Sequence, residues 1–150
     1  MEPDPRGTPA VVLMRPYERW GAAVSHLSTI VPLWAIVANA LIYFAYSQKS
    51  RVVCLHARQG INFQLMFLLV FIAKCMTDLF ARLLAAVDPL GAFPVHVRSA
   101  GTHLLSGVFV LYAAVCVIGA VQALRGRIFV YPLAGGRLYR NYLEARLSER

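Results

Sequence analysis

No Asp, Glu, Lys or Arg occurs between Gly21 and Gln48, and none between Leu104 and Leu124. Each such run exceeds the roughly 20 residues that carry a helix across the ~30 Å hydrocarbon core of a bilayer. In lipid every backbone donor and acceptor must be satisfied within the segment, which leaves helices or closed barrels. Two long uncharged runs without strand-like alternation therefore predict an all-α integral membrane protein. The chain is 59% hydrophobic, against about 45–50% for soluble domains by a comparable count.

The pattern divides the 150 residues into three parts. Residues 1–20 form a flexible, Pro-rich and then interfacial N-terminal segment, where Tyr17 and Trp20 beside Arg15 and Arg19 suit the headgroup layer. Residues 21–135 form the helical membrane domain, with transmembrane helices at about 22–47, 61–87 and 104–124. Pro32 falls near the start of the first, where a missing amide matters least. Residues 48–60 read as a short basic connection and 88–103, with two prolines and two glycines, as a turn-rich one. In the third span Gly119 and Ala123 form a small-xxx-small pair that lets another helix approach closely. Residues 136–150 predict a basic amphipathic helix, with Tyr139, Leu143 and Leu147 at i+4 spacing. Three spans are expected, or four if residues 61–87 make two half-spans.

The net charge is +8, yet the basic residues flank apolar runs, the membrane usage of Lys and Arg, and so do not imply a nucleic-acid partner. With three spans, Lys49, Arg51, Arg58, Arg125, Arg127, Arg137, Arg140, Arg146 and Arg150 share one side, against Arg6, Arg15, Arg19 and Arg98 on the other. The positive-inside rule then puts the C-terminus in the cytoplasm and the N-terminus outside, in a bacterial inner membrane. Residues 1–20 contain no apolar signal-peptide core, so the internal spans are expected to drive insertion. Cys54, Cys75 and Cys116 suit neither a disulfide framework nor a zinc site.

Polar residues inside the spans are the candidate functional positions. Asn39 should face another helix, because an unsatisfied amide in hydrocarbon is costly. Lys74, Asp78 and Arg82 repeat at i+4 on one face of the second span. They read either as a self-satisfying ladder docked on a partner subunit or as part of an ion path. Imidazoles near span ends can ligate haem iron or chlorophyll magnesium, and His26 and His103 are the candidates for that role. No cofactor is expected otherwise. The nucleophile-elbow, zincin and P-loop motifs are absent and carboxylates are few, which predicts no enzyme.

The stretch HARQGINFQL (56–65) sets His56, Arg58, Gln59, Asn62 and Gln64 at the threshold of an apolar helix. On that helix Gln59, Asn62 and Met66 share a face, Phe63 is adjacent and Gln64 points elsewhere. With His26-Leu27-Ser28 before it and Tyr131-Pro132 after it, this motif resembles that of a family of small bacterial membrane proteins of unknown function, similar to a membrane component of the chloroplast Tic translocon. Gly60 stands where that signature usually has Ala, a small change. The resemblance covers roughly residues 17–135 and implies a helical multi-span protein without a settled activity. The resulting expectation is a non-enzymatic accessory or scaffold subunit of a larger inner-membrane complex, with membrane lipids and other integral subunits as partners. A translocation or small-solute pathway component and a tetrapyrrole-binding subunit are the alternatives.

Overall fold

The computed structural model describes residues 14–32, 34–87, 91–131 and 135–147. The expectations placed on residues 1–13, on Pro132 and on the side chains of Arg146 and Leu147 lie outside them. Within the described residues five helices follow one another: α1 (Pro16–Ser28), α2 (Trp34–Tyr46), α3 (Arg51–Val87), α4 (Phe93–Leu124) and α5 (Gly136–Leu147). Among these, α3 and α4 are long and apolar enough to cross a membrane.

The first uncharged run is therefore divided between two helices of 13 residues, each only ~20 Å long, and is not one span over 22–47. Pro32 breaks the run. It has no amide proton, and its ring clashes with the carbonyl four residues back. α1 tightens before it, with Ile30 N–H donating to Leu27 O at 3.1 Å and Val31 N–H to Ser28 O at 3.3 Å. α2 then folds back along α1, so that Ser25 Oγ donates to Asn39 Oδ1 at 2.6 Å. A continuous helix would hold those residues ~21 Å apart.

The two connections expected at 48–60 and 88–103 are mostly helix. α3 begins at Arg51, and α4 begins at Phe93 with Pro94 in its first turn, where proline is tolerated. α3, of 37 residues, reaches ~55 Å, and α4, of 32 residues, ~48 Å.

The contacts fix the order along the bundle. Ser50 Oγ donates to Glu18 Oε1 at 2.7 Å, Cys54 Sγ approaches Tyr43 O at 3.6 Å, and Gly119 faces His26. α1 thus runs parallel to α3, and both run antiparallel to α2 and α4. The start of α1, the α2–α3 junction and the end of α4 meet at one end of the bundle, called proximal below. α5 lies there too, with Leu138, Tyr139 and Tyr142 packed on a core of Met14, Ala22, Ala23, Val52, Leu55, Ala120, Ala123 and Ile128. The beginning of the described chain and its last helix therefore share an end, whereas three spans would put them at opposite ends.

The hairpin α1–α2 reaches only the level of Gln64 and Tyr112, where the Tyr112 hydroxyl bridges Thr29 O and Gln64 Oε1. Beyond it α3 and α4 continue as a pair. Phe67 and Phe109 meet there at 5.9 Å between ring centres. Leu69, Ile72, Met76, Phe80, Leu104 and Val110 face outward.

Candidate functional site

A cluster of polar side chains is buried where the hairpin meets α3 and α4. Ser25, His26, Thr29, Asn39, His56, Gln59 and Gln64 are each no more than 1% exposed. Groups so placed stay in an apolar interior only when hydrogen-bonded.

Asn39 closes the hairpin. Its Oδ1 accepts from Ser25, and its Nδ2 donates to Thr29 Oγ1 at 3.0 Å and to Ala35 O at 2.9 Å. Thr29 Oγ1 in turn donates to Ser25 O at 2.7 Å. α3 comes close enough to cover this knot because residue 60 is glycine. A Cβ there would lie 2.9 Å from both Asn39 Nδ2 and Thr29 Oγ1. Alanine at this position is therefore not the small change that the sequence suggests.

A second chain of contacts runs through His26. Its Nδ1 lies 2.7 Å from the Tyr131 hydroxyl and its Nε2 3.0 Å from His56 Nδ1. Tyr131 arrives from the tail. α4 ends at Leu124, and Gly126 follows its cap with a φ of +76° that suits glycine. Gly126 N–H donates to Ala123 O and Arg127 N–H to Gln122 O, a Schellman ending that turns residues 127–131 back over α1. There Tyr131 N–H donates to Gln59 Oε1 at 3.4 Å, and its hydroxyl approaches Cys116 Sγ at 3.9 Å. Phe63 stacks between Tyr131 and Tyr112, with ring centres at 4.4 and 4.9 Å.

The tautomers of this chain are coupled. When Tyr131 donates to His26, His26 donates to His56, and His56 carries its proton on Nε2. The reverse order leaves Nε2 of His56 bare. Among the described residues, that atom and Gln59 Nε2 are buried without a hydrogen-bond partner. The arrangement can therefore hold a proton at either end of a Tyr–His–His row.

The structure gathers His56, Gln59 and Gln64 of the sequence motif into this network, with Phe63 beside them. It leaves Asn62 and Arg58 exposed. The face assigned to Gln59, Asn62 and Met66 is thus corrected, because the buried face follows 56, 59, 60, 64 and 67. Tyr112, a single tyrosine in an apolar helix, was not legible as a member, and Tyr131, marked only through the Tyr131-Pro132 element, gave no sign of its contact with His26.

The remaining candidates fall elsewhere. His26 has both ring nitrogens engaged within the chain, and His103 is exposed on α4, ~24 Å along the helix from Gly119. The two do not form one ligand site. Lys74 Nζ donates to Asp78 Oδ2 at 2.5 Å, and the Lys74 stem lies over Gly101 of α4. Arg82 is exposed one turn on. Lys74 and Gly60, the neighbour of Asn39, are ~21 Å apart along α3, so Asn39 and Lys74 make no direct contact. Gly119 and Ala123 do receive a close helix, which is α1 of the same chain. A Cβ on Gly119 would lie 2.8 Å from His26 Nδ1.

With this geometry established, the family model of the magnetosome magnetite crystal formation proteins (MamF/MmsF) matches residues 17–138. The chain belongs to that family. The match runs from the first turn of α1 into α5 and contains the whole buried network. It overturns the resemblance to the family of unknown function and to the chloroplast translocon, because the same His56–Gln64 motif lies inside the magnetosome family's own span. No curated protein and no solved structure matches this member of the magnetosome family.

Proposed function

We propose that the chain is a non-enzymatic accessory subunit of the magnetosome membrane that acts on magnetite crystal formation by assembling with other integral subunits. Family membership supports the process. The observation that carries the mode of action is the lopsided bundle. The hairpin covers only the proximal half of α3 and α4. The distal half is a bare pair with Leu69, Met76, Phe80 and Leu104 turned outward and the Lys74–Asp78 pair between the helices. Charges inside an apolar layer are costly unless paired and enclosed, and a third helix laid on this face would enclose them. The charge distribution supports an orientation with the proximal end, which carries Arg15, Arg19, Lys49, Arg51, Arg125 and Arg127, toward the cytoplasm.

The test is complementation of a strain lacking the chain, read by electron microscopy of crystal size and by co-purification of integral companions. Wild type is expected to restore both. Lys74→Leu/Asp78→Leu removes the pair while keeping the surface apolar, and is expected to lower companion recovery several-fold and to leave the crystals at the size of the deletion strain. A stable lone monomer in mild detergent, together with full rescue by the double variant, would contradict the proposal.

A further inference from the structure

We propose that residues 127–131 are an acid-released strap, held on α1 by the Tyr131–His26–His56 row only while both imidazoles are neutral. The strap starts after the left-handed turn of Gly126 and ends at Tyr131, which is 1% exposed. Tyr131 is its anchor. The hydroxyl lies 2.7 Å from His26 Nδ1, and the ring stacks on Phe63 at 4.4 Å. The backbone tie is weak, because Tyr131 N–H reaches Gln59 Oε1 at 3.4 Å, beyond the usual limit of ~3.2 Å.

Among the described residues, the titratable groups around the row come from every side of it. α1 supplies His26, α3 supplies His56 and the strap supplies Tyr131. α4 supplies Cys116, whose Sγ lies 3.9 Å from the Tyr131 hydroxyl. With both rings neutral the hydrogens fit, since one imidazole donates and the other accepts. With both rings charged, His26 Nε2–H and His56 Nδ1–H would point at one another across 3.0 Å, each without an acceptor.

A single charge is costly too. Both rings are fully buried, and burial disfavours the imidazolium form. Lifting Tyr131 and Phe129, which packs edge-on against His26, opens the row to water, so the open form binds protons that the closed form excludes. The closed strap is therefore stable above the ordinary imidazole pKa of ~6.5 and weakens as the pH falls below it. Release uncovers Cys116 and Phe63, which Tyr131 covers in the closed form.

Cys116 is the natural probe. In full-length protein in mild detergent, Cys54→Ala/Cys75→Ala leaves it as the only thiol. Its rate of reaction with 4,4′-dithiodipyridine is measured relative to a small free thiol at the same pH, which removes the chemistry's own pH dependence. From about pH 7.5 to about pH 5.5 the relative rate is expected to rise roughly 100-fold, about tenfold for each imidazole freed to its ordinary pKa, with helical circular dichroism unchanged. His56→Gln leaves one ring to titrate and is expected to cut the rise to about tenfold. His96→Gln/His103→Gln, on the exposed distal part of α4, is expected to keep the full rise. Should His56→Gln fail to fold, hydrogen exchange at the Tyr131 amide of the otherwise unaltered chain is expected to quicken over the same pH range relative to the amides of α4. A relative rate that changes less than about twofold, a full rise in His56→Gln, a rise lost in the distal variant, or helicity lost in step with labelling would overturn the assignment.

Discussion

Gly119→Val is expected to lower the stability of the purified protein in detergent by about 3 kcal/mol, the upper end of ordinary overpacking costs. α1 lies so close to α4 that even a methyl group at residue 119 would meet His26 Nδ1 at 2.8 Å and Phe129 Cδ1 at 3.0 Å. Neither neighbour has room to yield. His26 is held from both ring nitrogens, by Tyr131 and by His56, and Phe129 packs edge-on against the His26 ring at 5.7 Å. Moving α1 outward would strain the Tyr131–His26–His56 row and lift the tail from α4 together. A midpoint of thermal unfolding roughly 6–12 °C below wild type is the expected reading. Gly107 provides the control on the same helix. Nothing lies within 4 Å of a Cβ built there, so Gly107→Val is expected to change stability by less than ~0.5 kcal/mol. Equal behaviour of the two variants would show that α1 does not approach α4 as described.

Asn39→Leu is expected to cost about 2–3 kcal/mol. The substitution keeps the branching and the number of heavy atoms but deletes the acceptor of Ser25 and both donations, to Thr29 and Ala35. A buried hydrogen bond contributes about 1 kcal/mol net, and those between helices in membranes average ~0.6. The larger part of the loss comes from Ser25, whose hydroxyl is fully buried and is left without its acceptor. Thr29 suffers less because it keeps its bond to Ser25 O. The hairpin is thereby loosened at the point where α3 leans on it through Gly60. Asn62→Leu, at an exposed position of α3, is expected to be neutral. Comparable losses for the two asparagines would contradict the assignment of Asn39 as the hairpin's clasp.

Much of this was legible in the sequence, for definite reasons. Uncharged length alone specifies helices, and the run of residues 104–124 lies within α4. The prediction that Asn39 turns toward another helix follows from the cost of a bare amide, and the structure supplies the partners on α1. The break between α1 and α2 was not legible. A proline is tolerated in the first turn of a helix and breaks its interior, and which case Pro32 represents depends on where the helix begins. That in turn depends on Asn39 bonding back to Ser25 and Thr29, a contact across fourteen positions that no local pattern contains. The same ambiguity worked in reverse at Pro94, which the sequence suggested was loop and which starts α4. The buried network was half legible. His56, Gln59 and Gln64 stand out as polar residues in an apolar neighbourhood, but their partners Tyr112 and Tyr131 are brought in by α4 and by the turn at Gly126.

In this fold α1 and α2 turn back halfway, and among the described helices α3 and α4 alone run the full length. Single cysteines at Tyr17, Ala92 and Asn141, in a chain whose Cys54, Cys75 and Cys116 have been replaced, test it by labelling sealed membrane vesicles with a membrane-impermeant maleimide. Positions 17 and 141 are expected to label from one side and position 92 from the other. Labelling of 17 and 141 from opposite sides would mean three crossings and would contradict it.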